Sequence, residues 1–225
     1  ISEEKILVGL GDSLTQGVGD ERKMGGYLGR FATEMESFQG VSKIDLWNEA
    51  KRGRRSDQLL KQIQSGEIND SLKKADVIVM TIGGNDIMRI VKQDLFKLRV
   101  DAFQNELLLF AKRYGEILIE IRKLNPDAPL IILGLYNPFS IVTDEANEFD
   151  QILANWNNTI NNVAYTDINT CFVPVNDLFN SNSTMVYHTD FFHPNSKGYE
   201  QMTDRVLESL KSCGLNQLTK GEMDF

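Results

Sequence analysis

The sequence predicts an α/β protein: one domain over residues 1–225, a three-layer α/β/α arrangement around a five-stranded parallel sheet of order 2-1-3-4-5. Three observations carry that expectation. Apolar runs of strand length alternate with amphipathic stretches, the pattern of parallel strands joined through helices. Three of the runs are continuously apolar, as strands covered on both faces are, and the other two read as edges. A chain of 225 residues, 41% hydrophobic and 25% charged, suits one core of this kind.

The first run, Lys5–Leu10, leads into Gly9-Leu10-Gly11-Asp12-Ser13-Leu14-Thr15. The second, Ile44–Trp47, alternates at Ile44-Asp45-Leu46, as a strand with one exposed side does. The third and fourth are Val77–Ile82 and Leu130–Leu135. Between them Phe103, Leu107, Phe110, Tyr114, Ile117, Ile121 and Leu124 recur at spacings of three and four, a helical core stripe and not a lipid groove. Phe149–Ile152–Leu153–Trp156–Ile160–Val163 forms a second such stripe. The fifth run, Phe172–Val175, contains Pro174, which a central strand rarely tolerates. A last helix follows through Tyr199, Met202, Val206 and Leu210. Placing the second and fifth strands at the edges gives the flavodoxin-like order 2-1-3-4-5. In such sheets a ligand sits at the carboxyl ends of the strands, near the switch between strands one and three. Trp47 and Trp156 read as core.

Composition narrows the function. The net charge is −8, and only Lys51-Arg52-Gly53-Arg54-Arg55 is basic enough to interest a phosphate, so nucleic acid is not an expected partner. That cluster reads as a solvated loop, with an anionic substrate group as the alternative. No apolar run approaches the roughly 18 residues of a membrane helix. Two histidines and no cysteine pair of metal-binding spacing do not build a usual zinc site. The Gly-Leu-Gly-Asp-Ser-Leu run lacks the lysine of a phosphate-binding loop. No metal or organic cofactor is therefore expected. Cys171 and Cys213 allow one disulfide or none. The first residue is Ile1, not methionine, which fits a processed mature form or a trimmed chain. An extracellular or cell-surface-anchored location is the expectation, with the cytoplasm as the alternative.

Four segments are expected to converge at the carboxyl ends of the strands. They are Gly11-Asp12-Ser13-Leu14-Thr15, the stretch from Asn48 to Gly53, Gly83-Gly84-Asn85-Asp86, and Asp190-Phe191-Phe192-His193-Pro194. Together they hold the inventory for nucleophilic acyl transfer. A neutral serine hydroxyl is a poor nucleophile and needs a base as it attacks, and histidine is suited to that near neutral pH. His193 is preferred to His188, because Pro194 is expected to start the last helix and hold His193 at a cap position. Asp190, three residues earlier, is placed to accept the imidazole Nδ1–H. The Ser13 N–H, the Gly53 N–H and the Asn85 amide are the candidate oxyanion donors. Asp12 is expected to hold the turn through backbone N–H bonds and not to act as an acid.

Taken singly, each block has a plainer reading: a helix-cap turn, a loop and a surface Asp–His pair. Their occurrence in order at successive strand ends favours the catalytic one. The set Gly-Asp-Ser-Leu-Thr, Gly53, Gly-Gly-Asn-Asp and Asp-Phe-Phe-His resembles the GDSL esterase/lipase family, also called SGNH hydrolases, from the first strand to the last helix. The resemblance implies a serine hydrolase with Ser13 as nucleophile, His193 as base, Asp190 as third triad member, and Gly53 and Asn85 in the oxyanion hole. The basic residues flanking Gly53 depart from the family's pattern. The substrate expected is a short-acyl or lipid ester, or a thioester. The alternatives are an O-acetylated cell-surface polysaccharide and a catalytically idle binding module. The segment Tyr136-Asn137-Pro138-Phe139-Ser140-Ile141-Val142, expected at the same rim, leans towards an acyl group.

Overall fold

The computed structural model describes residues 1–93, 100–138, 146–167, 169–179 and 193–225. The first strand, β1 (Glu3–Gly11), runs into a four-residue helix, α1 (Ser13–Gln16), and a loop leads to α2 (Gly26–Met35). Then come β2 (Val41–Asn48), α3 (Ser56–Gln64), α4 (Asn69–Lys74) and β3 (Val77–Thr81). Next are α5 (Gly84–Gln93), α6 (Val100–Leu124), β4 (Leu130–Leu133) and α7 (Ala146–Ala164). The chain continues through β5 (Thr170–Val173), a 3₁₀ turn at Asn176–Phe179, α8 (Ser196–Cys213) and α9 (Leu215–Leu218). All five strands are parallel and stand in the order β2-β1-β3-β4-β5.

Alternate side chains of each strand face opposite layers, because strand side chains have a period of two. Val8, Leu10, Ile78, Met80, Leu130 and Ile132 pack under α3 to α7. Their neighbours Leu7, Val77, Val79, Ile131, Leu133 and Val173 pack under α2, α8 and α9. Burial on both faces explains why the central strands read as unbroken apolar runs. On α6, Phe103, Phe110, Tyr114, Ile117 and Ile121 are buried, so the long stripe is core.

Three details differ from the sequence reading. β5 ends at Val173, so Pro174 lies just beyond the strand and interrupts no ladder bond. Trp156 is buried, but Trp47 is only partly covered, with the Lys74 ammonium 5.9 Å from its ring centroid. On an edge strand an indole has one side left to a cation and solvent. The last helix begins at Ser196, not at Pro194: the Asn195 side chain caps it by accepting the Gly198 N–H at 2.9 Å. Asparagine outcompetes the preceding residues for the cap because its side chain supplies the acceptor. α2 went unremarked in the sequence, although Tyr27, Leu28, Phe31, Ala32 and Met35 bury one helical face, because it opens on two glycines. Among the described residues no helix is long and apolar enough to cross a membrane.

Cys171 on β5 and Cys213 at the end of α8 form a disulfide across a sequence separation of 42 residues. It closes a loop that includes His193. Loop-entropy reasoning puts its stabilisation at about 4 kcal/mol. The Cys171→Ala/Cys213→Ala protein should therefore unfold at a lower urea concentration by that free energy, and reductant should lower only the wild-type midpoint. Equal midpoints would show that the bond does not hold the native state together.

Candidate active site

The carboxyl end of β1 is shaped by what surrounds it. Gly11 has φ of 111°, and a Cβ there would lie 1.7 Å from the Thr81 carbonyl oxygen of β3. Only glycine lets the chain turn so close to its neighbour. Asp12 follows with its N–H donated to the same carbonyl at 3.1 Å. Its side chain caps α1, accepting the Leu14 N–H at 3.1 Å on Oδ1, the turn-holding role expected of it. Ser13 is thus the first residue of a helix. Its N–H meets no protein acceptor among the described residues.

The loop after β2 is laced to this turn. Glu49 N–H donates to the Gly9 carbonyl at 2.8 Å, and Lys51 N–H to the Gly11 carbonyl at 2.9 Å. Asn48 Nδ2 donates to the Thr15 carbonyl, and Arg52 N–H to Gln16 Oε1. Gly53 stands beyond them, exposed, with φ of 82°. Its N–H also meets no protein acceptor among the described residues. Lys51 and Arg52 are solvated, as expected of a loop. Arg54 instead folds back to donate to the Glu49 carbonyl at 2.7 Å, and Arg55 pairs with Asp57. Asn85, in the first turn of α5, donates one amide hydrogen to the Arg54 carbonyl at 3.0 Å and keeps the other.

His193 arrives from the far end of the chain. Its Nε2 stands 3.1 Å from Ser13 Oγ, across 180 positions of sequence, and both residues are buried. Glu21 anchors the segment by accepting both the Ser196 N–H, at 2.8 Å, and the Ser196 hydroxyl. Burial opposes the charge on Glu21, but these two bonds outweigh it and hold its carboxyl below the usual range. Asp190 and His188 lie outside the described residues, as do positions 139–142 of the segment after β4.

Ser13, Asn85 and His193 line one cleft, part of it open to solvent. The rest of its wall is almost wholly apolar: Leu14, Ile87 and Met88 on one side, Leu135, Tyr136, Pro138, Phe149 and Leu153 on the other. Tyr136 and Pro138 occupy the rim expected of them. The contribution of α5 and α7 escaped the sequence reading, which assigned Phe149 and Leu153 to core alone. Gly53 is not part of this wall; the carbonyl of its neighbour Arg54 accepts from Asn85, which is.

Asp12 shows how little water reaches the turn. Burial pushes its carboxyl up to about 7, against the bonds from the Thr81 hydroxyl and the Leu14 N–H that favour the charged form. A carboxyl raised in the folded state contributes stability that is complete below its unfolded value and is lost as pH rises through about 7. Both bonds reach Oδ1, which an asparagine retains. Between about pH 5 and pH 8.5 the wild type should therefore lose about 3 kcal/mol relative to Asp12→Asn. Urea unfolding of both proteins at the two pH values measures it, and parallel pH dependences would exclude a buried, raised Asp12.

A parallel sheet covered on both faces, with a serine–histidine pair and an apolar cleft at the carboxyl ends of its strands, defines a hydrolase of three-layer α/β/α type. Comparison with known proteins narrows this further. The chain belongs to the GDSL-like lipase/acylhydrolase family, whose model matches residues 10–201. It is similar to the uncharacterized protein YpmR of Bacillus subtilis (strain 168), at 38% identity over 95% of this chain and 84% of that one. Its identity with the spore germination lipase LipC of Bacillus licheniformis is 26%, over 93% of this chain and 96% of that one. The crystal structure of the lipase Lip_vut3 from a goat rumen metagenome matches with a TM-score of 0.81 at 26% identity, covering 95% and 99% of the two chains.

Proposed function

We propose that the protein is a serine esterase or lipase that hydrolyses carboxylic esters through an acyl-enzyme, without metal or organic cofactor. The observation that carries this reading is the 3.1 Å approach of His193 Nε2 to Ser13 Oγ at the mouth of an apolar cleft. With the ring proton on Nδ1, Nε2 accepts the Ser13 proton as Oγ attacks the ester carbonyl carbon. Asp190 accepts the Nδ1–H and stabilises the imidazolium. The Ser13 N–H, the Gly53 N–H and the free Asn85 amide hydrogen receive the oxyanion. His193 then returns the proton to the leaving alcohol, and water repeats the sequence to free the acid. The unpartnered N–H groups of Ser13 and Gly53 support this assignment of donors.

The apolar wall favours an acyl chain over an acetylated glycan, and the likeness to two lipases points the same way. The Cys171–Cys213 disulfide supports a site of action outside the reducing cytosol, at the cell surface or beyond it. A panel of p-nitrophenyl esters tests the substrate class. Each added methylene that enters the cleft should raise kcat/KM about fourfold, from roughly 0.8 kcal/mol of burial, until the cleft is filled. A fluorophosphonate probe should label the protein stoichiometrically. Equal turnover of acetyl and longer esters would remove the acyl-chain reading. Absence of both turnover and labelling would favour an idle binding module.

A further inference from the structure

Asp86 has no part in the mechanism above, yet it is buried deep beside Asn85 and makes strong bonds. Its Oδ1 accepts the Ser56 N–H at 2.9 Å and its Oδ2 accepts the Ser56 hydroxyl at 2.6 Å. Ser56 is the first residue of α3, two positions after Arg54 and three after Gly53, and it is fully buried. Asp86 lies in the first turn of α5, directly after Asn85. The adjacent residues 85 and 86 thus grip residues 54 and 56: the Asn85 amide holds the Arg54 carbonyl, and the Asp86 carboxylate holds both donors of Ser56. Arg113 on α6 closes the cluster. Its Nε donates to Ser56 Oγ at 3.0 Å, its Nη2 stands 3.4 Å from Asp86 Oδ2, and Glu106 takes another of its contacts. A carboxylate buried this far needs such a cation beside it.

We infer that Asp86 is a positioning residue: by tying the start of α3 to the start of α5 it sets the Gly53 N–H and the Asn85 amide at a fixed separation, aimed at one oxyanion. The inference rests on the reading of Asn85 and Gly53 as oxyanion donors. Two donors, one in α5 and one on the loop that leads into α3, serve one oxygen only if those segments cannot shift against each other. Misplacement by about 1 Å in such a site costs up to about 10²-fold in rate. The Asp86–Ser56 bonds are the connection that fixes this spacing, and the contact with Arg113 orients the carboxyl group. Asp86 acts through the spacing of the two donors and not on the substrate, so its effect belongs in kcat and not in KM.

The test is a double-mutant cycle on p-nitrophenyl ester hydrolysis, with kcat normalised to fluorophosphonate-titrated sites. Asn85→Ala should lower kcat by about 10²–10³-fold. Asp86→Ala should lower it by about 10- to 10²-fold with KM within about twofold. Asp86→Asn, whose Oδ1 still accepts the Ser56 N–H but whose amide nitrogen cannot accept from the Ser56 hydroxyl or Arg113, should recover part of that loss. The double variant Asn85→Ala/Asp86→Ala should be only slightly slower than Asn85→Ala, because the separation that Asp86 fixes no longer matters once the Asn85 amide is gone. Ser56→Ala, which removes one of the two bonds, should reproduce a smaller part of the effect and serves the same cycle if Asp86→Ala does not fold. Losses that multiply in the cycle, or an unchanged kcat per titrated site, would overturn the inference and leave Asn85 in place. An unchanged kcat in Asn85→Ala alone would instead overturn the reading on which it rests.

Discussion

Ser13→Ala is expected to abolish ester hydrolysis, with kcat falling by about 10⁶-fold, and to abolish labelling by a fluorophosphonate. The effect is large because the covalent path disappears with the hydroxyl. Ser13 Oγ is the oxygen that stands against His193 Nε2, at 3.1 Å. The fold should survive. Ser13 is buried, but among the described residues its side chain bonds only to His193, at 3.1 Å, so its removal costs about 1 kcal/mol and leaves no large cavity. α1 keeps its Asp12 cap and its Gly17 terminus without the hydroxyl. Circular dichroism and a melting curve should therefore resemble the wild type's. Labelling that persists in this variant would move the nucleophile to another residue.

His193→Ala is expected to lower kcat by about 10⁴- to 10⁶-fold, while His188→Ala keeps most of the activity. Without the imidazole, Ser13 retains its position but has no base to receive its proton. The segment that carries His193 does not depend on the ring for its place. Glu21 holds Ser196, the Tyr199 hydroxyl donates to the Val18 carbonyl at 2.5 Å, and Asn195 caps α8. The loss should thus fall on rate and not on folding, with KM little changed. Kinetics on both variants decide between the two histidines, and loss of activity in His188→Ala with retention in His193→Ala would reverse the assignment.

Much of this architecture was legible in the chain. The apolar stretches 77–80 and 130–133 mark central strands because burial on both faces leaves no polar position in them. The alternation at Ile44-Asp45-Leu46 marks an edge because one face meets solvent. Those two patterns, with Pro174 marking the fifth run as the other edge, order the sheet, and the order brings the Ser13, Gly53 and Asn85 segments to one rim. The start of the last helix was misjudged by two residues, because a proline signals a helix start less sharply than the side-chain acceptor that follows it, Asn195. The short helices α3 and α4 were not legible, since six to nine residues give too few repeats of a 3.6-residue period to stand out.

What the sequence by itself determined was periodicity and order: which runs are strands, which stripes are buried, and in what succession the serine, glycine, asparagine and histidine blocks occur. These are local properties, written into residues a few positions apart. Only the tertiary structure decided the quantities that join distant positions. They include the 3.1 Å between Ser13 and His193 and the grip of Asp86 on Ser56. They also include the pairing of Cys171 with Cys213 and the apolar cleft walled by α5 and α7. Phe149 and Leu153 carry the same apolar signal whether they fill a core or line a cleft. Hydrophobic spacing says which side of a helix is buried but not what it is buried against, and that is settled only when whole layers pack.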